Sequence, residues 1–554
     1  MQADLIVTNG RVLTMDEARP RAEAVAISKG RVLAVGTGAE IAALAGPGCR
    51  VIDAGGRSVL PGFVESHMHL GLGGAELPHL HLDTLHGEDK LRAAYDGYAA
   101  ARPGLGFVMA EGADYHILGH EITRADLDAI AGARPFAIRA MDHHTVWANT
   151  AALQAAGLLA GKAMPHGHEV VMAADGLATG ELREFAAFAP ILDLAGIGRI
   201  NLGIATGEEP AVLPSPAERA VDKDHIARGL AHAAAEGITS IVNMDGNLYT
   251  LELLAEMEAE GRLTARVVVP FHFKPDMPLS ALERASAMAR DYHSGWLRSG
   301  FVKMFMDGVV DSRTAFMLQD YPGVTTRGAP LFEPGWFNKV CTEIDRRGLQ
   351  IAVHAIGDGA VRVTIDGYEA AQKANGKRDS RHRIEHIELI DRADIPRLGA
   401  LGITASVQPP HPPGAMDFPL AAMETVFHPA RWTDAYLWKT LKDAGAPVAY
   451  ASDWPVTDIS VMRGMQAALT RVPFGPDCAD ERLSRAETLL AYTAWGAWAG
   501  HLEGVTGMLR PGMAGDLVVL DGNIETIPAQ SLGKTGIALT VAGGKITHEG
   551  PGTL

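Results

Sequence analysis

Two histidines stand one residue apart at the end of a short apolar run, PGFVESHMH at positions 61–69. Side chains on a β-strand alternate between its two faces, so His67 and His69 are expected to point the same way. Two imidazoles on one face can bind a single metal ion. One histidine in the core and the other in a loop would give the same pattern, so the metal interpretation needs support from elsewhere in the chain.

That support comes from residues that follow other apolar runs. Each of them stands at the carboxyl end of its own run: Lys303, His354, His386 and Asp453. Imidazole nitrogen and carboxylate oxygen are donors that zinc, manganese and iron accept. The alternative is a set of unrelated polar residues at strand ends. Because all of them fall at the same kind of position, the sequence favours a metal centre.

Lys303 is the unusual member, because a protonated lysine has no lone pair with which to bind a metal. Burial beside cations would lower its pKa, since both effects disfavour the ammonium form. The neutral amine could then combine with carbon dioxide to form a carbamate, an anionic oxygen ligand able to bridge two metals. The alternative is an ordinary lysine paired with Asp307, which lies at the same strand parity.

Composition narrows the class of protein. The chain has 554 residues, of which 47% are hydrophobic and 21% charged, as in soluble globular enzymes. A formal net charge of -17 argues against a nucleic-acid partner. We see no signal peptide and no apolar run that would span a membrane. The cysteines, Cys49, Cys341 and Cys478, are far apart, which indicates neither disulfides nor thiolate zinc and favours the cytoplasm.

From about residue 218 onward, helical and strand patterns alternate. Together with the His-x-His strand, the predicted strands lie near 239–243, 265–271, 301–306, 350–354, 383–386, 403–407 and 447–453. Eight strands alternating with helices predict an α/β fold, a (β/α)8 TIM-like barrel. A doubly wound sheet is the alternative, but the glycine-rich phosphate-binding turn is missing after the first strand. Active sites of such barrels lie at the carboxyl ends of the strands, where the candidate ligands fall.

Both ends of the chain are rich in short strand-like runs. Asn9-Gly10 and Lys29-Gly30 are predicted hairpin turns near the N-terminus, and runs at 516–522 and 537–546 repeat the pattern near the C-terminus. Isolated hairpins are only marginally stable. We therefore predict one small β-sandwich domain from residues 1–60 plus 505–554, with the barrel in residues 61–504.

A long region separates the first barrel strand from the regular alternation. Residues from about 72 to 217 are too many for a loop, so they are expected to form an inserted subdomain after strand 1. The region contains helical pieces such as Arg124 to Ala131 and stretches rich in glycine. It contributes no predicted metal ligand, which suggests a role in specificity.

Characteristic motifs are distributed over nearly the whole length of the chain: PGFVESHMH, DHHTVWANTAAL, VKMFMDGVVDSRTA, HAIGDGAV, RHRIEHIEL, SVQPPH, YASDWPV and GMLRPGMAGDLVVLD. In these motifs the chain resembles the metal-dependent amidohydrolase superfamily, and within it the YtcJ-like branch that includes N-substituted formamide deformylases. Glu65 stands where aspartate is more usual before the histidine pair.

The resemblance implies which residues would bind each metal ion. His67, His69 and Asp453 would hold one divalent metal, His354 and His386 a second, and carboxylated Lys303 both. Zinc is the expected ion. Asp453 would also act catalytically, as the base that takes a proton from water and passes it to the leaving nitrogen. The implied reaction is cleavage of a C–N bond, in an amide or N-substituted formamide, by a metal-activated hydroxide.

Four further residues are candidates for binding substrate: His144, Arg313, His411 and Trp147. Each has a plainer alternative. His144 could be structural within the insertion, Arg313 could pair with an aspartate, and His411 could be an exposed loop residue. The loop from Gly414 to Trp432 carries apolar side chains that could touch substrate or simply pack onto the barrel.

Other functions of the same scaffold stay open. Cyclic-amide hydrolysis and deamination need a similar site, although related deaminases tend to lack the bridging lysine. A catalytically inactive scaffold would be expected to have lost ligands, and this chain keeps them all. The expected partner is a small-molecule substrate, without nucleic acid or membrane, and we allow for a homodimer.

Overall fold

In the computed structural model, strands from both ends of the chain lie side by side. The structure describes residues 2–82, 85–165, 167–416, 418, 420, 423 and 427–551. The terminal strands are β1 Ala3–Thr8, β2 Arg11–Leu13, β3 Arg21–Ala22, β4 Ala24–Ser28, β5 Arg31–Gly36, β6 Ala45–Asp53, β7 Ser58–Pro61, β22 Leu517–Leu520, β23 Ile537–Ala542 and β24 Lys545–Glu549. They form a four-stranded sheet in the order β5-β4-β1-β6 and a six-stranded sheet in the order β24-β23-β22-β7-β2-β3.

The two ends of the chain are joined by a strand pair and by a common core. β22 runs antiparallel to β7, with Val519 opposite Val59. Leu5 and Val25 from the four-stranded sheet are buried in one apolar cluster with Leu539 from the C-terminus. Removing these side chains from water stabilises both sheets at once, which explains why neither terminal segment needs to be stable alone.

One predicted turn is confirmed and the other is wrong. Lys29 and Gly30 have φ of 49° and 76° and connect the antiparallel pair β4–β5, as a two-residue hairpin turn requires. Asn9 also has a positive φ of 52°, but β1 and β2 belong to different sheets. The Asn9 amide donates a hydrogen bond to Asp53 Oδ1, 2.8 Å away, so the turn redirects the chain between sheets.

The barrel confirms the predicted fold class. Its parallel strands are β8 Phe63–Met68, β15 Ile238–Asn243, β16 Arg266–His272, β17 Leu297–Phe305, β18 Gln350–Ala355, β19 Arg383–His386, β20 Thr404–Val407 and β21 Val448–Tyr450. They form one eight-stranded sheet in sequence order from β8 to β21. Hydrogen bonds from Asp453 N to His67 O and from His69 N to Trp454 O link its two edges. These closing hydrogen bonds involve three of the predicted ligands, His67, His69 and Asp453.

Helices follow the barrel strands and cover them. They are α8 Pro216–Ala235, α9 Leu248–Ala259, α10 Leu282–Asp291, α11 Pro334–Arg346, α12 Asp358–Asn375, α13 Ile395–Leu401, α14 Trp438–Asp443, α15 Val461–Thr470, α16 Arg485–Ala491 and α17 Ala494–Ala499, with 3-10 turns at Leu279–Ala281, Pro429–Asp434 and Ala529–Lys534. The last two helices of the barrel, α16 and α17, are separate elements. Thr493, between them, has φ of -135° and ψ of -98°, outside the helical region.

The insertion forms a sheet that the sequence analysis did not predict. Its elements, with the terminal helix α1 Gly38–Ala42, are α2 Leu70–Glu76, β9 Leu80–His81, α3 Glu88–Ala100, β10 Val108–Ala113, α4 Arg124–Ala131, β11 Phe136–Ala140, β12 Thr145–Ala148, α5 Thr150–Ala155, β13 Glu169–Met172, β14 Ala178–Arg183, α6 Phe185–Leu194 and α7 Gly198–Thr206. The sheet has the order β13-β14-β12-β11-β10-β9. Leu153 and Leu182 pack on one side of it, and Leu127 and Ile138 on the other.

Two further sequence-based expectations concern disulfides and membrane-spanning helices. The three cysteines are free, in agreement with the expected absence of a disulfide framework. In the described part of the chain, no helix combines the length and the apolar character needed to cross a bilayer.

The predicted shared terminal domain can be tested by truncation. Deleting the residues after Pro511 removes β22 to β24, so hydrogen exchange in residues 4–35 is expected to accelerate. Leu539→Ala should destabilise the same region more mildly, by about 2–5 kcal/mol, because it empties a buried site. A chain ending at Glu549 is the control. Unchanged exchange in residues 4–35 after the longer truncation would contradict the shared domain.

Candidate metal centre

The predicted metal ligands meet at one end of the barrel. Four of them lie within the last three residues of their strands: His67, Lys303, His354 and His386. His69 immediately follows β8, and Asp453 lies in the segment just after β21. All six are buried and line one cavity of about 80 Å³. His386 and Asp453 have positive φ, 78° and 61°, although neither is glycine. Strained backbone of this kind persists where the surrounding structure enforces a side-chain direction, commonly at functional sites.

His67, His69 and Asp453 converge on one point. Asp453 Oδ1 lies 3.1 Å from His67 Nε2 and 3.2 Å from His69 Nε2. On the far side of each ring, Nδ1 contacts a buried carboxylate: Glu385 Oε2 at 2.7 Å from His67, and Asp245 Oδ1 at 2.6 Å from His69. If each Nδ1–H donates outward, each Nε2 turns a lone pair toward Asp453. Carboxylates in this position orient metal-binding imidazoles.

This arrangement has the spacing that a bound cation requires. Asp453 Oδ1 is buried and accepts no hydrogen bond of adequate geometry from the described residues, despite its two close imidazoles. Burial opposes the charge on His69, but Asp245 outweighs it and raises the His69 pKa to about 9. A metal must displace that proton in order to bind Nε2. Two nitrogen lone pairs and an anionic oxygen then provide the donor set that the sequence analysis predicted.

The rings of His354 and His386 pack edge to face, with their centroids 4.5 Å apart. His354 Nε2 lies 3.0 Å from the Gly308 carbonyl oxygen, and His386 Nδ1 lies 3.0 Å from Gln408 Oε1. Each ring is thus held through one nitrogen, and the other, Nδ1 of His354 or Nε2 of His386, remains for a ligand. The same division of roles holds for all four histidines of the centre.

Lys303 is buried without a partner of opposite charge. Its Nζ lies 4.9 Å from the Phe305 ring, and among the described residues it forms neither a hydrogen bond nor an ion pair. Asp307, the alternative partner, instead accepts hydrogen bonds from the backbone N–H groups of Phe316, Ile356 and Gly357. Burial lowers the Lys303 pKa to about 8, although Glu385 and Asp453 partly counteract it.

His411 lies against the centre. Its ring stacks on His386 with centroids 5.8 Å apart, and Nε2 is 3.7 Å from Asp453 Oδ2. His386, His411 and Asp453 therefore form a second group of suitable spacing for a cation. His411 is buried and lines the cavity, so the alternative of an exposed loop histidine does not describe it.

His144 reaches the same cavity from the insertion. Its ring centroid is 5.7 Å from that of His354, and Nδ1 lies 2.8 Å from Glu184 Oε2. Glu184 also accepts a hydrogen bond from Thr314, which ties the pair to the loop after β17. Burial opposes the charged ring, but Glu184 raises the His144 pKa to about 9. Glu184 has a positive φ of 66°, a second sign of enforced side-chain direction.

Arg313 and Trp147 do not line this cavity. Arg313 is exposed in the loop after β17, with φ of 60°. Trp147 is buried in β12, where its ring packs against Tyr115 at 5.1 Å in the core of the insertion. The structure brings His144 and His411 to the metal ligands and places the other two candidates elsewhere.

In the loop from Gly414 to Trp432, one apolar side chain lines the cavity and others pack onto the barrel. Phe418 lines the cavity, whereas Met423 and Phe427 are buried in the main apolar core. The Trp432 indole donates to the Phe427 carbonyl at 3.1 Å. Residues 417, 419, 421–422 and 424–426 lie outside the described part of the chain.

A third group of suitable spacing, Glu76, Glu111 and His143, lies in the insertion. The Arg139 guanidinium already forms ion pairs with both carboxylates, at 2.8 Å to Glu111 and closer still to Glu76. His143 Nε2 contacts Glu76 Oε2 at 2.9 Å. Because a fixed buried cation occupies it, this group is an internal ion-pair network that joins α2 to the insertion sheet.

Comparison with known proteins identifies the family. A family model described as amidohydrolase family matches residues 50–548. The chain belongs to this family. The amidohydrolase is 29% identical over 541 residues to Protein LONG AFTER FAR-RED 3 of Arabidopsis thaliana, covering 94% of the chain and 88% of that protein. It is 26% identical over 555 residues to putative amidohydrolase YtcJ of Bacillus subtilis, covering 98% of both.

An enzyme with a named activity is also similar. N-substituted formamide deformylase of Arthrobacter pascens is 25% identical over 566 residues, covering 99% of both chains. An uncharacterized metal-dependent hydrolase from Pyrococcus furiosus has a TM-score of 0.70 and 26% identity, covering 95% of this amidohydrolase and 99% of that chain. These findings confirm the YtcJ-like resemblance and support a metal-dependent hydrolase.

A more distant structure shares the fold. Atrazine chlorohydrolase TrzN from Arthrobacter aurescens TC1, complexed with zinc, has a TM-score of 0.55 and 15% identity, covering 98% of this amidohydrolase and 95% of that chain. Together with the ligand groups described above, the hydrolase neighbours support a divalent metal.

Proposed function

We propose that this amidohydrolase cleaves a C–N bond of a small molecule, an amide or an N-substituted formamide. The observation that carries the proposal is the convergence of His67 Nε2 and His69 Nε2 on Asp453 Oδ1, at 3.1 and 3.2 Å, although this oxygen accepts no hydrogen bond of adequate geometry from the described residues. The deformylase activity for which the Arthrobacter pascens relative is named supports the choice of bond.

The proposed metal centre contains two ions. His67, His69 and Asp453 would hold one, His354 and His386 the other, and a carbamate on Lys303 both. Zinc is proposed because it accepts imidazole nitrogen and carboxylate oxygen, and because the TrzN neighbour contains zinc. When bound, the metal supplies Lewis acidity, which makes water nucleophilic near neutral pH.

The protein side chains handle the protons. As the water oxygen bonds to the amide carbon, Asp453 accepts the released proton. The C–N bond then breaks, and Asp453 returns that proton to the leaving nitrogen. Glu385 and Asp245 hold His67 and His69 in place throughout, since each contacts the Nδ1 atom directed away from the cavity.

The cavity walls limit the access of bulk water. Leu72, Phe185, Phe305, Val309 and Val310 line it beside the ligands. An apolar lining strengthens electrostatic interactions with the reacting atoms and suits a substrate with an apolar part.

The proposal is tested by metal analysis of the purified protein and a hydrolysis screen with N-formyl, N-acyl, cyclic-amide and aminated-ring compounds. Metal-dependent release of amine from the first two classes is expected. Turnover of cyclic amides or aminated rings alone would favour the alternative reactions. A metal-loaded protein inactive toward all classes would favour the inactive scaffold.

His144→Ala should separate substrate handling from metal binding. We expect kcat to fall by about tenfold or more, because the ring lines the cavity and is held by Glu184. Bound metal should stay nearly constant. His116→Ala, which changes an exposed histidine of the same insertion, is the control. Loss of metal from His144→Ala would mean that His144 is itself a ligand.

A further inference from the structure

Three carboxylates line the cavity beyond the candidate metal ligands: Asp142, Asp311 and Glu388. They come from three separate parts of the chain, the insertion, the loop after β17 and the segment after β19. Within the described residues, none of them forms an ion pair with lysine or arginine. Arg313, the nearest arginine in sequence, does not line the cavity.

The contacts of these carboxylates offset their charge only in part, because the protonated His144 ring that acts on Asp142 is itself paired with Glu184. Asp142 accepts hydrogen bonds from the His144 backbone N–H at 2.9 Å and from the Tyr115 hydroxyl at 3.0 Å. Glu388 Oε1 lies 3.6 Å from His411 Nδ1. Asp311 is exposed and has no side-chain hydrogen bond to another described residue. Neutral donors stabilise a carboxylate but do not cancel the field of three of them.

His411 provides an independent sign of a missing ligand. Only 7% of the residue is exposed, and its Nε2 is buried without a hydrogen-bond partner in the described part of the chain. If Nδ1–H faces Glu388, Nε2 presents an acceptor to the cavity. A buried polar atom left without a partner costs free energy, so its presence in this wall indicates a group that donates to it.

Mutual repulsion among the three carboxylates also favours a bound cation. Although part of Asp311 is exposed, the protein packed around it removes much of its water and raises its pKa to about 7, and the charges of Asp142, Glu388 and Asp114 add to that effect. Burial likewise raises the Asp142 pKa. The same cavity is also lined by the apolar side chains of Leu72, Phe185 and Ile204. A cation brought between the carboxylates would relieve their repulsion, and its carbon skeleton could pack on these apolar residues.

We propose that the substrate of this site carries a positively charged nitrogen group, an ammonium or guanidinium, and that Asp142, Asp311 and Glu388 bind it. This inference rests on the proposed amide hydrolysis and adds the class of substrate. The scissile bond then lies at the metal ligands, and the charged group lies along the acidic wall. Clefts of one charge sign also steer oppositely charged ligands inward, typically by about 10- to 1,000-fold in association rate.

The decisive experiment compares two amides of equal shape on the metal-loaded enzyme. One carries a primary ammonium group and the other a methyl group at the same position. We expect kcat/KM for the cationic amide to exceed that for the neutral one by about tenfold or more, and the ratio to shrink with added salt. Asp311→Asn should reduce the ratio. Asp320→Asn removes the same charge from the same loop outside the cavity and should leave the ratio as in wild type.

A binding measurement keeps this inference testable apart from catalysis. Benzylammonium has no scissile amide bond, and calorimetry should show that it binds the metal-loaded protein, more weakly after Asp311→Asn. Hydrolysis of both amides without charge preference would overturn the cationic substrate and leave the proposed function standing. Binding of the cation without hydrolysis of any amide would do the reverse. An extra divalent ion bound by wild type, lost in Asp311→Asn, without binding of the organic cation would make the wall a metal site and overturn the inference.

Discussion

Asp453→Asn is expected to reduce kcat/KM by about a thousandfold, even in protein that retains metal. Asparagine keeps the shape and one carbonyl oxygen but removes the basic oxygen and the negative charge. Asp453 Oδ1 is the atom that both imidazoles approach, and burial around it is offset by the nearby histidines, which hold its pKa well below the usual value. Loss of a positioned proton acceptor typically costs about 10²- to 10⁴-fold.

The measurement combines metal content with steady-state kinetics on the same preparation. Asp443→Asn is a suitable control, because it removes an exposed aspartate just before the same strand. A retained metal complement with near-normal turnover would exclude Asp453 as the proton carrier. Loss of all metal would leave the proton role unresolved, and Asp453→Glu, which keeps the carboxylate but moves it, would then separate the two functions by restoring metal without full turnover.

The barrel could be predicted because each of its strands is a buried run with a distinctive end. Parallel strands covered on both faces are continuously apolar, and the helices between them show their own spacing. Turn residues were informative about backbone direction but not about pairing. Lys29-Gly30 and Asn9-Gly10 both adopt positive φ, yet only the first joins two neighbouring strands. Which sheet a strand enters is decided by distant partners, here β6, β7 and β22.

The sheet in the insertion was missed for a related reason. β10 and β11 are buried on both faces, so their sequences VMAEGA and FAIRA show no alternation. β10 contains Glu111, and β11 contains Arg139, which read locally as surface residues. They are tolerated inside because they pair with each other across the sheet at 2.8 Å. Single-residue polarity is misleading where two buried charges compensate each other.

The candidate ligands could be found by position, and so could one of their two supporting partners. Asp245 follows β15 at the same edge as the ligands, so the rule that selected His354 would also have selected it. Glu385 gave no such signal, because it neighbours His386 in sequence but contacts His67, 318 residues away. Contacts of that kind depend on barrel closure, which brings β8 and β21 together, and closure is a property of the whole sheet.

The proposed carbamate on Lys303 leads to the last prediction: Lys303→Ala should lose one of about two metal ions per chain. Two divalent ions placed close together repel, and four neutral imidazoles do not offset that repulsion. Asp453 and an attacking hydroxide supply two negative charges. A carbamate would add a third between the ions, where it lowers the repulsion most. An unmodified ammonium there would increase it.

The structure supports this prediction through what surrounds the amine. Lys303 is 1% exposed, lies among the four histidines and has no ion pair among the described residues. An alanine there should therefore reduce the metal count from about two to about one and kcat/KM by about a hundredfold or more, since a bridging ligand holds both ions in place. Added short carboxylic acids should restore part of both by supplying the missing oxygens. Lys274→Met is the control, because Lys274 Nζ lies 5.3 Å from the same Phe305 ring without lining the cavity. One ion per chain in both wild type and Lys303→Ala would instead mean a single metal on His67, His69 and Asp453, with Lys303 a plain amine.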